Sequence, residues 1–140
     1  MSESDLTGRF MPALKKAEFH AVRIENSTES GTPDINYAKQ RAQGWIETKV
    51  AKGSFVYFEL FQIPWFRRRL RATEGRYLWV LVENARTIVL YPASAVLAAP
   101  REPVRDWVRV RQEDLGAPVA ETSSDRPDWS VIIEALTNES

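Results

Sequence analysis

Asp34 and the triplet Glu47-Thr48-Lys49 stand out in this chain of 140 residues. Two carboxylates supply hard oxygen donors for a divalent cation. A lysine two residues after the second can position water and offset charge on a phosphate. Acid, then acid-X-lysine, is the minimum set for metal-dependent hydrolysis of a phosphodiester. The chain has no cysteine and a single histidine, His20, which excludes thiolate and histidine-rich metal sites. Oxygen ligands then point to Mg2+, with Mn2+ able to substitute.

These groups need a scaffold that brings them together. Residues 34–39 and 45–50 have strand patterns and are separated by a short turn, 40–44. A connection that short predicts an antiparallel hairpin. Pairing Lys39 near Gly44 places Asp34 opposite the region of Glu47 and Lys49. Side chains two apart on a strand share a face, so Glu47 and Lys49 point together. Thr48 points to the other face, but its backbone carbonyl lies between them. Asp34, Glu47 and the Thr48 carbonyl then form a partial oxygen shell for Mg2+.

The flanking segments supply the rest. Residues 4–17 read as a helix with Leu6, Phe10, Met11 and Leu14 at helical spacing, weakened by Gly8 and Pro12. A strand is expected over 19–25, a loop over 26–32, and a strand or helix lead over 55–61. Residues 64–73 read as a helix opened by Pro64 and ended by Gly75. Gln62, just before it, can reach the hairpin. The continuous apolar run 77–82 predicts a strand buried on both faces, followed by a turn and a strand over 87–91. A short helix is expected over 94–99, a loop over 100–103, an edge strand over 106–111, a surface excursion over 116–128 and a closing helix over 129–136. Trp45, Trp65 and Trp79 are expected in the core, with Trp107 and Trp129 packing the tail onto it. The order predicts an α/β sandwich with a mixed sheet.

Composition fits one globular domain: 44% of residues are hydrophobic and 27% charged, and no apolar run is long enough to cross a bilayer. Formal net charge is zero, which argues against nonspecific coating of nucleic acid but permits a local basic face. Arg67, Arg68, Arg69, Arg71 and Arg76 fall in one short stretch. Of these, Arg67, Arg68 and Arg71 are the candidates to hold phosphates flanking a scissile bond. Glu18, Glu25 and Glu29 read as surface charges, and His20 as structural.

Gly31-Thr32-Pro33-Asp34-Ile35, Trp45-Ile46-Glu47-Thr48-Lys49 and Gln62-Ile63-Pro64-Trp65 together resemble the PD-(D/E)XK nuclease superfamily. Within it the chain is similar to VRR-NUC-type and Holliday-junction-resolvase-like small nucleases of bacteriophages. The resemblance spans roughly residues 2–91. It implies a restriction-endonuclease-like α/β core, with a mixed sheet of about five strands flanked by helices. Residues 1–91 would be that core, and residues 92–140 a C-terminal extension packed on the same domain. It also implies catalytic roles for Asp34, Glu47, Lys49 and Gln62, and metal ligation by Asp34, Glu47, Thr48 and an N-terminal glutamate, Glu3. The implied activity is a Mg2+-dependent deoxyribonuclease, an endonuclease acting on branched or junction DNA. The alternative is a catalytically inactive nuclease-fold protein that binds DNA or serves in an assembly. DNA is the expected partner and a homodimer the expected assembly, with no membrane association. The expected location is the cytoplasm of a bacterium or a phage-infected host cell.

Overall fold

The computed structural model describes residues 2–25 and 29–137. Residues 26–28, part of the expected loop, lie outside that set. The described elements run α1 (Glu3–Lys16), β1 (His20–Arg23), β2 (Ile35–Lys39), β3 (Ala42–Val50), β4 (Phe55–Glu59), α2 (Gln62–Ala72), β5 (Leu78–Glu83) and β6 (Thr87–Pro92). They continue α3 (Ala93–Ala98), β7 (Glu102–Val104), β8 (Trp107–Arg111), a 3-10 turn (Gln112–Leu115), β9 (Ala120–Ser123) and α4 (Trp129–Ala135). None of these helices is long and apolar enough to cross a membrane.

A six-stranded mixed sheet, ordered β1-β2-β3-β5-β6-β9, forms the centre. β3 and β5 are parallel, and the other neighbours are antiparallel. A parallel pair needs a crossover, and here it is β4 plus α2. The apolar run of β5 is buried at every position, as a central strand covered on both faces should be.

Each face of the sheet has its own core. Leu6, Phe10 and Leu14 of α1 recur every four residues and pack with Ile46, Trp79, Leu81, Ile88 and Leu90, and with Ile132 and Leu136 at the α4 end. Pro12 lies on the exposed side of α1, where water can satisfy the carbonyl it leaves unpaired, so the helix continues through it. Deep in this core, Trp79 Nε1 donates to the Tyr37 hydroxyl at 2.8 Å, which donates to the Leu136 carbonyl at 2.7 Å. The opposite core joins Trp65 and Phe66 of α2 to Val80, Val82, Val89 and Val96. Val56 and Phe58 of β4 and Val110 of β8 close it from outside.

Several expectations need correction. The hairpin turn is shorter than 40–44: β3 already begins at Ala42, and Lys39 pairs with Ala42 rather than with Gly44. Gln40, in the left-handed region at φ 54°, makes that two-residue turn. The register moves by two residues, which preserves the faces and sets Asp34 level with Glu47, within the expected region. α2 begins at Gln62, two residues earlier than expected, with Pro64 inside the first turn, where its missing N–H costs nothing. The segment 106–111 is the middle strand of a second, three-stranded sheet ordered β4-β8-β7, not an edge. The expected loop 100–103 contributes to β7. The expected excursion 116–128 contains β9, which becomes the sixth strand of the main sheet. Trp107 is 41% exposed rather than packed inward, whereas Trp129 packs its ring 5.2 Å from Phe10.

Candidate active site

The site lies where the ends of β2 and β3 meet the start of α2. Alternation along β3 sends Ile46 and Thr48 toward α1, and Glu47 and Lys49 toward α2. Both charged side chains are 3% exposed. Their Lys49 Nζ to Glu47 Oε2 separation is 3.3 Å, and Lys49 also sits 4.9 Å from the centre of the Phe58 ring.

Gln62 joins the two. Its Oε1 accepts from Lys49 Nζ at 2.9 Å and from the Glu59 backbone N–H at 2.9 Å. Its Nε2 donates to Glu47 Oε2 at 2.6 Å. A backbone N–H can only donate, so the Glu59 contact fixes which way the amide points. The NH2 group must then face the carboxylate. The early start of α2 is what delivers this side chain, and Gln62 is 6% exposed.

Asp34 stands immediately before the start of β2. Its Oδ2 accepts from the Thr48 backbone N–H at 3.0 Å and from the Thr48 hydroxyl at 2.8 Å. The same hydroxyl meets that of Thr7 at 2.8 Å, which ties α1 to the site through a buried pair. Gly31 holds the preceding loop at φ 91°. A Cβ there would collide with the Phe61 carbonyl oxygen, so glycine is what lets this loop lie against the start of α2.

Glu3, the first residue of α1, reaches the rim. Its carboxyl is raised above the ordinary value, chiefly by desolvation, with Asp34 adding to this and Lys49, Lys52 and the Val50 amide opposing it. The side chain remains solvent-accessible. Among the described residues, no three acidic or histidine side chains converge closely enough to enclose a metal ion by themselves.

Glu47 is the most perturbed group. Burial pushes its carboxyl up to about 8; Asp34 adds to the rise, while Lys49 and Gln62 oppose it. Its Oε2 is crowded by two partners, yet its Oε1 is buried without any hydrogen-bond partner among the described residues. An orphaned buried carboxylate oxygen is costly, and a cation or a proton would satisfy it. Oxygen donors on Glu47, Asp34 and the Thr48 carbonyl are of the chemistry Mg2+ or Mn2+ prefers, so the residues present fit such a cation.

Arg67, Arg68 and Arg71 lie on the exposed side of α2, away from this cluster. Arg68 pairs with Glu29 at 3.1 Å, in the segment that leads to Asp34. Arg69 instead stacks on Trp65 and Trp45, 4.9 and 5.6 Å from their ring centres. Thr7, Phe58 and Lys52 were not singled out from the sequence. Thr7 sits one turn after Glu3, so helical spacing was the available signal for it; Lys52 lies beyond the end of β3 and had none.

No protein-family model and no curated protein sequence matches the chain. Among solved structures it is similar to Archaeoglobus fulgidus Hjc, a Holliday junction resolvase from an archaeal hyperthermophile. The likeness has a TM-score of 0.58 at 18% identity and covers 84% of this chain and 91% of that one. Together with the six-stranded mixed sheet flanked by helices, the likeness shows that this chain shares the mixed α/β fold of that structure.

Proposed function

We propose that this protein is a divalent-metal-dependent DNA endonuclease acting on branched or junction DNA. The observation that carries the reading is the unpartnered, buried Glu47 Oε1 beside Lys49 and level with Asp34. The fold shared with a Holliday junction resolvase supports it and favours four-way junctions as substrate.

Asp34, Glu47 and the Thr48 carbonyl would hold Mg2+ or Mn2+, with Glu3 joining from the rim. When bound, the cation supplies Lewis acidity and positive charge against the scissile phosphate. Lys49 orients the attacking water and offsets charge that develops on phosphorus. Gln62 keeps the Lys49 ammonium aimed by accepting from it while holding Glu47 in place. Thr48 fixes Asp34 through two hydrogen bonds, so both carboxylates are set before substrate arrives. Arg67, Arg68 and Arg71 would take flanking phosphates along the exposed side of α2. Cutting two strands of a junction calls for two such sites, hence a homodimer.

The test is incubation with supercoiled, linear and four-way-junction DNA in Mg2+, Mn2+ or EDTA. Junction cleavage that needs the cation and disappears in Asp34→Ala and Lys49→Ala is the expected result. DNA binding without metal-dependent cleavage would favour an inactive nuclease-fold protein instead.

A further inference from the structure

The small sheet β4-β8-β7 has an inner face that closes the core and an outer face that nothing in the site uses. Val56, Phe58 and Val110 are fully buried inward. Alternation therefore sends Phe55, Tyr57, Arg109 and Arg111 outward. The register sets Phe55 opposite Arg111 and Tyr57 opposite Arg109. Both guanidinium groups lie over the Phe55 ring, 4.1 Å for Arg109 and 4.7 Å for Arg111. Lys52 extends the row, 5.7 Å from the Tyr57 ring.

We propose that this outer face is a second DNA-contact surface, where Lys52 and Arg111 grip the phosphate backbone of the arm that leaves the candidate site, with Arg109 beside them held by Glu102. Stacking on one ring holds the two arginines in set orientations, so little side-chain freedom is lost when a phosphate is bound. Lys52 and Arg111 form no ion pair among the described residues, and both are exposed. The acidic residues nearby do not cancel the patch: Glu102 is taken by Arg109 at 2.8 Å, and Glu59 lies at the far end of β4. The cationic end is the one that adjoins the site, because Lys52 follows Lys49 by three residues and bridges to Phe55 at the start of β4. The row then runs from Lys52 to Arg111, which stands opposite Phe55 at the start of β4. A row of cations on aromatic supports is suited to a polyanion whose sequence is not read.

The location of this surface rests on the nuclease reading, but its test does not. In EDTA, binding of a labelled four-way junction is measured across a salt series for wild type, Lys52→Gln/Arg111→Gln and the exposed control Arg126→Gln. The double variant should bind about tenfold more weakly, and its slope of log affinity against log salt should fall by about 2, one counterion for each phosphate no longer neutralised. Arg126→Gln should match wild type. Circular dichroism melts establish that each variant is folded. Unchanged affinity and slope in the double variant, or no binding by wild type, would overturn the proposal. If wild type cleaves junctions through Asp34 and Lys49 while the double variant binds normally, only the second surface is refuted. If the double variant loses binding while wild type never cleaves, the surface stands and the nuclease reading falls.

Discussion

Glu47 and Glu83 lie near the same end of neighbouring parallel strands, and both are almost wholly buried, yet the fold treats them in opposite ways. Glu83 points to the α1 face and has both oxygens occupied, one by Arg9 and the other by the Ser124 hydroxyl at 2.6 Å. Glu47 points to the α2 face with two partners crowded on one oxygen and none on the other. Burial of a carboxylate thus does not mark a site by itself. A buried carboxylate with half its bonding capacity unused does, because a purely structural role would leave no reason to carry that cost.

The contrast can be broken most sharply by cleavage. Lys49→Ala should lower metal-dependent junction cleavage about 100- to 10,000-fold, the range for removing a group that handles a proton or water in the transition state, and Asp34→Ala, which removes a proposed metal ligand, should lower it at least as much. Glu83→Gln should cleave close to the wild-type rate; an equal loss there would erase the distinction.

Next in size is a stability effect on the other glutamate. Arg9→Met strands Glu83 and should cost about 1–3 kcal/mol in urea denaturation, less than a fully buried pair because Arg9 is partly solvated. Metal linkage separates the two residues again. Saturating Mg2+ should stabilise wild type, by about 2.7 kcal/mol at a hundredfold excess over Kd, as read by thermal melts. Glu83→Gln should retain that shift, and Glu47→Gln should lose it.

The last effect is on pH dependence without metal. Burial raises the Glu47 carboxyl to about 8 from an unfolded value near 4.5, so the folded state holds the proton more tightly. That stabilisation is complete below the unfolded value and is lost as pH rises through the folded one. Melting temperature in EDTA should fall over this window in wild type, and Glu47→Gln should flatten the fall. A flat wild-type profile would overturn the burial-driven rise at Glu47.

The hairpin was legible because its strands alternate and its charged residues sit two apart, a spacing that fixes their face whatever the register. The register itself was hidden, since Gln40-Arg41 is not an Asn-Gly or Asp-Gly turn and announces no left-handed residue. Gln62 was readable as a nearby polar group, but its bridging role depends on a Glu59 amide supplied by tertiary packing. The strands of the tail were unreadable for a different reason. β7 has three residues including Pro103, and β9 has four alternating between half-buried and exposed, so neither offers an apolar period. Glu83 looked like the first residue of a turn, because nothing in the sequence announces the arrival of Arg9 and Ser124.

The packing of Phe10 on Trp129, and of Tyr37 on the Leu136 carbonyl, has a consequence for the timing of folding. These pairs join residues more than ninety positions apart, and pairings that distant form late. During synthesis from the N-terminus, α1 waits for its cover until α4 has emerged. The candidate site, whose Thr48 leans on Thr7 of α1, therefore gains the last of its support when α4 docks.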